Sequence, residues 1–312
     1  MKSLKVLVTG GAGFIGSNIV DLLVENDMSV VVVDNLSSGK LENVNDRAKF
    51  YKCDIRERRI FEVIEIENPE VVIHNAAQIS VRNSVEDPEN DASINILGSI
   101  NLFEACRKHN VKKIIFASSG GTVYGEQVAF PADEEHQTKP ICPYGVAKLS
   151  VEKYLYYYYV IFGIKYIALR YANVYGPRQD PHGEAGVVAI FSEKILAGDQ
   201  PIINGDGKQT RDYVYVGDAA LANLLAINSN FVGELNIGTG IETNVIEIFN
   251  ILRDISGRED LSELHGPAKE GEQRRSVLSY KKAKEILGWQ PQVKINEGLL
   301  MTFNWFRGNI NI

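Results

Sequence analysis

Apolar residues fall in short dense runs through the first half of the chain, and the gaps between the runs keep a different period. Leu4 to Val8, Val30 to Val33, Val71 to Ile73 and Ile114 to Ala117 are near-continuous hydrophobic runs of strand length, with Phe50-Tyr51 a weaker one. Between them, Ile15, Ile19, Leu22 and Leu23, and later Ile94, Leu97, Ile100 and Leu102 through Ala105, recur at helical spacing. A strand without polar alternation is buried on both faces. Strands alternating with helices therefore predict a doubly wound parallel sheet covered on both sides, an α/β fold. The alternation fades after Arg170, where Gly, Pro and charged residues gather at 176–186 and 204–211. Such loops suit a smaller α/β cap over the carboxyl ends of the strands, where ligands bind in open parallel sheets. The expected division is 1–172, with part of 212–245, for the first domain and 173–312 mainly for the second.

The first strand runs into TGGAGFIG, Thr9 to Gly16, and then into a helix. Gly11, Gly13 and Gly16 fit G-x-G-x-x-G, and Gly10, Gly13 and Gly16 give a second glycine spacing. Glycines there allow a tight turn and close approach of backbone to a pyrophosphate, which the unpaired N–H groups of the helix N-terminus can bind. With a strand before it and a helix after it, the motif predicts a Rossmann-type dinucleotide site. Asp34 ends the second strand about 20 residues on, where a carboxylate accepts from the ribose hydroxyls and repels a 2′-phosphate. NAD is therefore expected rather than NADP. Asp54-Ile55, after the third strand, is expected to flank the adenine.

Composition narrows the partners. The chain has 312 residues, 45% hydrophobic and 23% charged, which is globular and enough for roughly two domains. A net charge of −7 argues against a nucleic-acid-binding face. Three cysteines, Cys53, Cys106 and Cys142, form no CxxC pair, which fits a reducing cytoplasm better than a disulfide framework. Five histidines show no metal-ligand spacing, so no metal is expected. No apolar run reaches the roughly 18 residues of a membrane span, and the N-terminus enters a strand pattern without a signal peptide.

CPYGVAK, Cys142 to Lys148, sets a tyrosine and a lysine at i and i+4, on one helical face. A lysine beside a phenol favours the phenolate, which makes Tyr144 a general base. Alone, this spacing is weak. It gains weight from TGGAGFIG, VDNLSSG, HNAA, SSGGTVYG, PYGVAK, LRYANVYGPRQ, GDGKQTRDYVYV, LNIGTG and AKEILGW, which follow in order along the chain. In this order the sequence resembles the extended short-chain dehydrogenase/reductase family, and more narrowly its UDP-glucose (UDP-galactose) 4-epimerase branch.

The resemblance implies a residue set. Ser119, Tyr144 and Lys148 would be catalytic, with Ser118 the competitor for the hydroxyl role because Gly120 stands where many epimerases have Ser or Thr. Gly10, Gly13, Phe14, Ile15, Gly16, Asp34, Asn35, Asp54, Ile55, Ala76, Ala77 and Asn95 would line the cofactor, as would Tyr144 and Lys148. Asn173, Val187, Val188, Asn204 and Arg211 would hold the UDP-sugar. The R-x-G-D loop of many relatives, whose arginine meets the diphosphate and whose acid meets a ribose, reads Lys269-Glu270-Gly271-Glu272 here, so Lys269, with Arg274 and the neighbouring Arg275, is expected at the diphosphate and Glu272 at a ribose. Ser276 falls where a bulky aromatic excludes N-acetyl sugars, so N-acetylhexosamines are expected to enter.

The implied reaction is inversion at C4 of a UDP-hexose through a 4-keto sugar, with NAD retained. Gly120-Gly121 replaces the acid and base that a 4,6-dehydratase needs, and glycine transfers no proton. Uronate epimerisation or decarboxylation, and a non-catalytic NAD sensor, are the alternatives. KYLYYYYVIFG, Lys153 to Gly163, places five tyrosines on the helix that begins near Tyr144 and stops at Gly163. Such a helix is expected to be buried, and the resemblance puts it in a homodimer interface. His74 is expected in the core, and Asp212 and Asp218 are expected to hold loops.

Overall fold

The computed structural model describes residues 4–182, 186–268 and 273–309. Seven parallel strands form the central sheet, in spatial order Gly233–Ile237, Lys165–Tyr171, Lys113–Ser119, Val71–His74, Lys5–Thr9, Ser29–Asp34 and Lys49–Lys52. The five runs expected in the first half are all strands. The seventh, Gly233–Ile237, returns from the second half and pairs with Lys165–Tyr171 along its length.

Each strand serves two cores, because successive side chains leave a strand on opposite faces. Val6 and Val8 join Ile19, Leu23, Ile73 and Leu169 on one side, under the helices Phe14–Glu25 and Val216–Asn228. Leu7 joins Val31, Val33, Val72, Leu102, Phe103 and Leu155 on the other, under Arg59–Glu67, Gly98–Lys108 and Pro143–Phe162. A third core, around Tyr175, Phe191, Phe249 and Phe303, belongs to the later part of the chain.

Strand order reverses between Lys5–Thr9 and Val71–His74, with Thr9 opposite His74. The crevice beyond that switch point is where an open parallel sheet binds its ligand. His74 is a core residue: its ring bonds the Thr9 hydroxyl at 2.8 Å and the Ser99 hydroxyl at 2.9 Å. Burial holds its pKa down near about 3, so it is neutral.

One expected helix departs from regular geometry. Ser93–Leu97 is a π turn between Pro88–Ala92 and Gly98–Lys108. The apolar spacing of Ile94 and Leu97 does not reveal this, because one π turn shifts the helical phase by only about one residue, within the width of an apolar face. The tyrosine helix Pro143–Phe162 ends at Gly163, whose φ of 73° suits a glycine. Its burial is one-sided. Tyr158 is buried, whereas Tyr156, Tyr157, Val160 and Ile161 are exposed on this single chain. No helix among the described residues is long and apolar enough to cross a membrane.

Candidate active site

The glycine turn is built by exclusion. Gly10 has a φ of +69°, and a Cβ on it would lie 2.6 Å from the Ala76 nitrogen. A Cβ on Gly16 would lie 2.1 Å from the Gly10 carbonyl. These two positions admit only glycine, and they bring the start of helix Phe14–Glu25 against the end of strand Val71–His74. No side chain caps that helix at Gly13, so its first N–H groups face the crevice. Asn75, beside Gly10, buries both polar atoms of its amide without a partner. An unsatisfied buried amide beside an uncapped helix N-terminus suits a polar, anionic ligand.

Asp34 has a role beyond the one read from its spacing. Its carboxylate accepts from Ala12 N at 3.0 Å and from Leu36 N at 2.8 Å, pinning the glycine turn. A carboxylate offers about four lone-pair positions, so two remain for ribose hydroxyls. Asn35 donates to Asp54 at 3.0 Å. Asp54 also binds Arg56 through paired contacts of 2.8 and 3.0 Å, which with help from Asn35 hold its pKa near about 2. Ile55 is buried, with Gly98 against it. The crevice thus has the glycines, helix terminus and terminal acid that a dinucleotide requires, and NAD fits the residues present.

Asn95 lies in the π turn and is nearly fully buried. Its amide exchanges both hydrogen bonds with the Gln78 backbone at 2.9 Å, so it fixes the segment after Ala76 and Ala77.

Tyr144 and Lys148 sit one turn apart at the start of helix Pro143–Phe162, with Pro143 in its first turn. Lys148 Nζ donates to the Ala117 carbonyl at 2.8 Å and lies 5.5 Å from the Tyr144 ring centre. Burial draws the Lys148 pKa down to about 8, against the pull of Asp91 and Glu152. The Tyr144 phenol moves the other way from the expectation. Burial raises its pKa, and Asp91 and Cys142 add to the rise. The protein alone does not make this phenol a neutral-pH base. Positive charge at the site must overcome its desolvation.

Ser118 and Ser119 part company at the end of strand Lys113–Ser119. Ser118 is buried and donates to Glu152 at 2.6 Å. Glu152 is bound by Arg170 at 2.7 and 3.0 Å, and Arg170 reaches the Tyr124 hydroxyl. Ser119 points elsewhere, near Gly121, and the Asn173 side chain lies near the same glycine. The absence of a side chain at Gly121 leaves room between them.

The residues expected at the substrate come from several later elements. Val187 and Val188 open the helix Val187–Leu196. Asn204 ends strand Ile202–Asn204. Arg211 and Ser276 are cross-strand neighbours in parallel strands. Arg274 forms a two-point ion pair with Asp206 at 2.8 Å, and Arg275 pairs with Glu242 while stacking 3.7 Å above Phe130. Both are solvent-exposed ion pairs to carboxylates far away in the chain, of the kind that contributes little to stability. Lys269 and Glu272 lie outside the described residues. Asp212 accepts from Thr239, Gly240 and Leu278, and Asp218 from Gln292 and Val293, so both hold loops.

Comparison with known proteins converges on one family. Residues 6–238 match the NAD dependent epimerase/dehydratase family. The structure resembles a UDP-glucose 4-epimerase of Thermotoga maritima solved with UDP-glucose, 51% identical, with 98% and 99% of the two chains covered and a TM-score of 0.96. It also resembles a UDP-glucose 4-epimerase of Thermus thermophilus in complex with NAD, 44% identical, covering 98% and 100%, TM-score 0.93. A UDP-N-acetylglucosamine 4-epimerase of Methanobrevibacter ruminantium, in complex with UDP-N-acetylmuramic acid, is 37% identical over 99% and 100%, TM-score 0.94. The glycine turn, the terminal acid and the Tyr–Lys pair thus stand in a chain that belongs to the NAD dependent epimerase/dehydratase family.

Proposed function

We propose that this protein is a UDP-glucose 4-epimerase that interconverts UDP-glucose and UDP-galactose on a retained NAD. The carrying observation is the Tyr144–Lys148 pair, with Lys148 bonded to the Ala117 carbonyl of strand Lys113–Ser119, in a chain half identical to an epimerase solved with UDP-glucose. Gly10, Gly13, Phe14, Ile15 and Gly16 would hold the pyrophosphate, and Asp34 the adenosine ribose. Asn173, Arg211, Val187, Val188 and Asn204 would hold the UDP moiety.

NAD supplies the hydride acceptor, and later the donor, when bound. Ser119 donates a hydrogen bond to the sugar 4-oxygen. Tyr144 takes the 4-hydroxyl proton and later returns it to the opposite configuration of the product. Lys148 carries its positive charge at neutral pH, because its pKa of about 8 lies above it, and so supports the phenolate. The chain would divide into a cofactor domain over 1–172 with part of 212–245, and a mainly substrate-binding domain over 173–312. The exposed face of the tyrosine helix supports a homodimer as the working form, and three free cysteines fit a reducing cytoplasm.

N-acetylhexosamines form a second substrate class. Ser276 is small and stands beside Arg211, and a relative of known structure is a UDP-N-acetylglucosamine 4-epimerase. The test is incubation with UDP-galactose and with UDP-N-acetylgalactosamine, without added NAD, followed by NMR. Conversion of both supports the full reading. Conversion of UDP-galactose alone retains the mechanism and removes the wider pocket. Conversion of neither rejects the proposal.

A further inference from the structure

Gly121 is a glycine that the fold does not require. It is helical and half-buried, in the turn Gly120–Val123 that follows strand Lys113–Ser119. Among the described residues, a Cβ built there meets only the Ser119 hydroxyl and the Asn173 side-chain oxygen within 4 Å, each at 3.9 Å, an ordinary contact distance. Its neighbour differs. A Cβ on Gly120 would lie 2.4 Å from the buried Leu278 side chain, so packing excludes a side chain there. Among the described glycines outside the left-handed region, only Gly121 and Gly308 keep every such contact beyond 3.4 Å, and Gly308 is exposed on the last turn of helix Ile295–Asn309. Glycine is also a poor helix former, so neither packing nor backbone selects it at position 121.

The sheet explains where this space lies. Ser119 pairs with Tyr171 across strands Lys113–Ser119 and Lys165–Tyr171. Gly121 and Asn173 each stand two residues further on, at the carboxyl ends where ligands bind in such sheets. Among the described residues, the Ser119 hydroxyl and the Asn173 side-chain amide have no hydrogen-bond partner in the protein. Two unpaired polar groups thus border a gap that the protein leaves unfilled. In the reaction proposed above, Ser119 bonds the sugar 4-oxygen and Asn173 holds the UDP moiety, so the hexose lies in that gap. Inversion takes hydride from one face of C4 and returns it to the other. The ketone formed in between must present both faces at one place, and it needs free volume to turn in.

We propose that the missing side chain at Gly121 is the volume in which the 4-keto sugar turns over between its two hydride transfers. This inference rests on the function proposed above. A side chain at position 121 leaves the fold, the cofactor site and the first transfer intact, and it obstructs the turn of the ketone.

The experiment compares the parent with Gly121→Ala and Gly121→Val, and with Gly308→Ala as the control for adding a methyl to a helical glycine. Melting temperature should hold or rise in both alanine variants, and bound NAD should be unchanged. Turnover of UDP-galactose is then measured with hydrogen and with deuterium at C4. Gly121→Ala should lower kcat about tenfold and Gly121→Val about 100-fold, the range that one to a few carbons command in a filled pocket. KM should not rise, and kcat should show no appreciable deuterium effect, because the turn of the ketone and not hydride transfer then limits the rate. Gly308→Ala should match the parent. If Gly121→Val does not fold, Gly121→Ala alone decides. A Gly121→Ala that fails to fold or keeps the parent kcat, a loss confined to KM, or a deuterium effect that persists at the lowered kcat overturns the inference and leaves the proposed function standing. A parent without turnover rejects the proposed function, and the inference with it.

Discussion

Lys148→Met removes one buried charge and keeps most of the side-chain volume. The ammonium lies 5.5 Å from the centre of the Tyr144 ring. At an effective dielectric constant of about 20, a unit charge at that distance is worth roughly 3 kcal/mol to a phenolate. That is about two pH units in the phenol pKa, so the phenolate fraction at neutral pH falls about 100-fold. Turnover should fall by the same factor, and the remaining activity should rise with pH further than in the parent. The parent has its own signature. Its Lys148 pKa is drawn down to about 8, so the ammonium is complete below pH 7 and disappears as pH rises through 8. Parent activity should therefore decline on the alkaline side near pH 8, and this limb should be absent in Lys148→Met. The assay is conversion of UDP-galactose, coupled to oxidation of the product UDP-glucose, with NAD content measured on each preparation so that lost cofactor is not read as lost chemistry. A variant that retains NAD and loses less than threefold in turnover would refute the electrostatic reasoning.

Gly16→Ala should abolish NAD retention, measured by extraction and chromatography, because the new methyl would sit 2.1 Å from the Gly10 carbonyl. Lys113→Met should destabilise the protein by roughly 2–4 kcal/mol in urea unfolding. The buried Lys113 ammonium donates to the Ala226 and Ile227 carbonyls at 2.9 and 2.8 Å and to that of Ser229, closing the end of helix Val216–Asn228. Ser276→Tyr should leave UDP-galactose turnover within a few-fold of the parent and lower that of UDP-N-acetylgalactosamine by at least tenfold, read from the two rates side by side.

The parts of the site that were legible in the sequence are local. The glycine turn, Asp34 and the Tyr144–Lys148 pair each depend on spacing within a few residues or on the end of one strand. The strands were legible because a sheet buried on both faces leaves uninterrupted apolar runs. What escaped depends on contacts across long stretches of chain. Asp206 and Arg274 are 68 residues apart, so their exposed ion pair has no signature in the sequence. Ser118 and Ser119 are adjacent and chemically identical, and the hydrogen bond that distinguishes Ser118 goes to Glu152, 34 residues on. The Tyr144 phenol shows the same limit in energy. Spacing reveals its charged neighbour, but the burial that outweighs that neighbour comes from the whole fold.

Hydride removal from C4 and its return to the same carbon are the centre of the account, and UDP-galactose labelled with deuterium at C4 tests them directly. The protein, with no NAD added, should produce UDP-glucose that keeps the deuterium at C4. Product with hydrogen from water at C4, or no product from an NAD-loaded preparation, would contradict it.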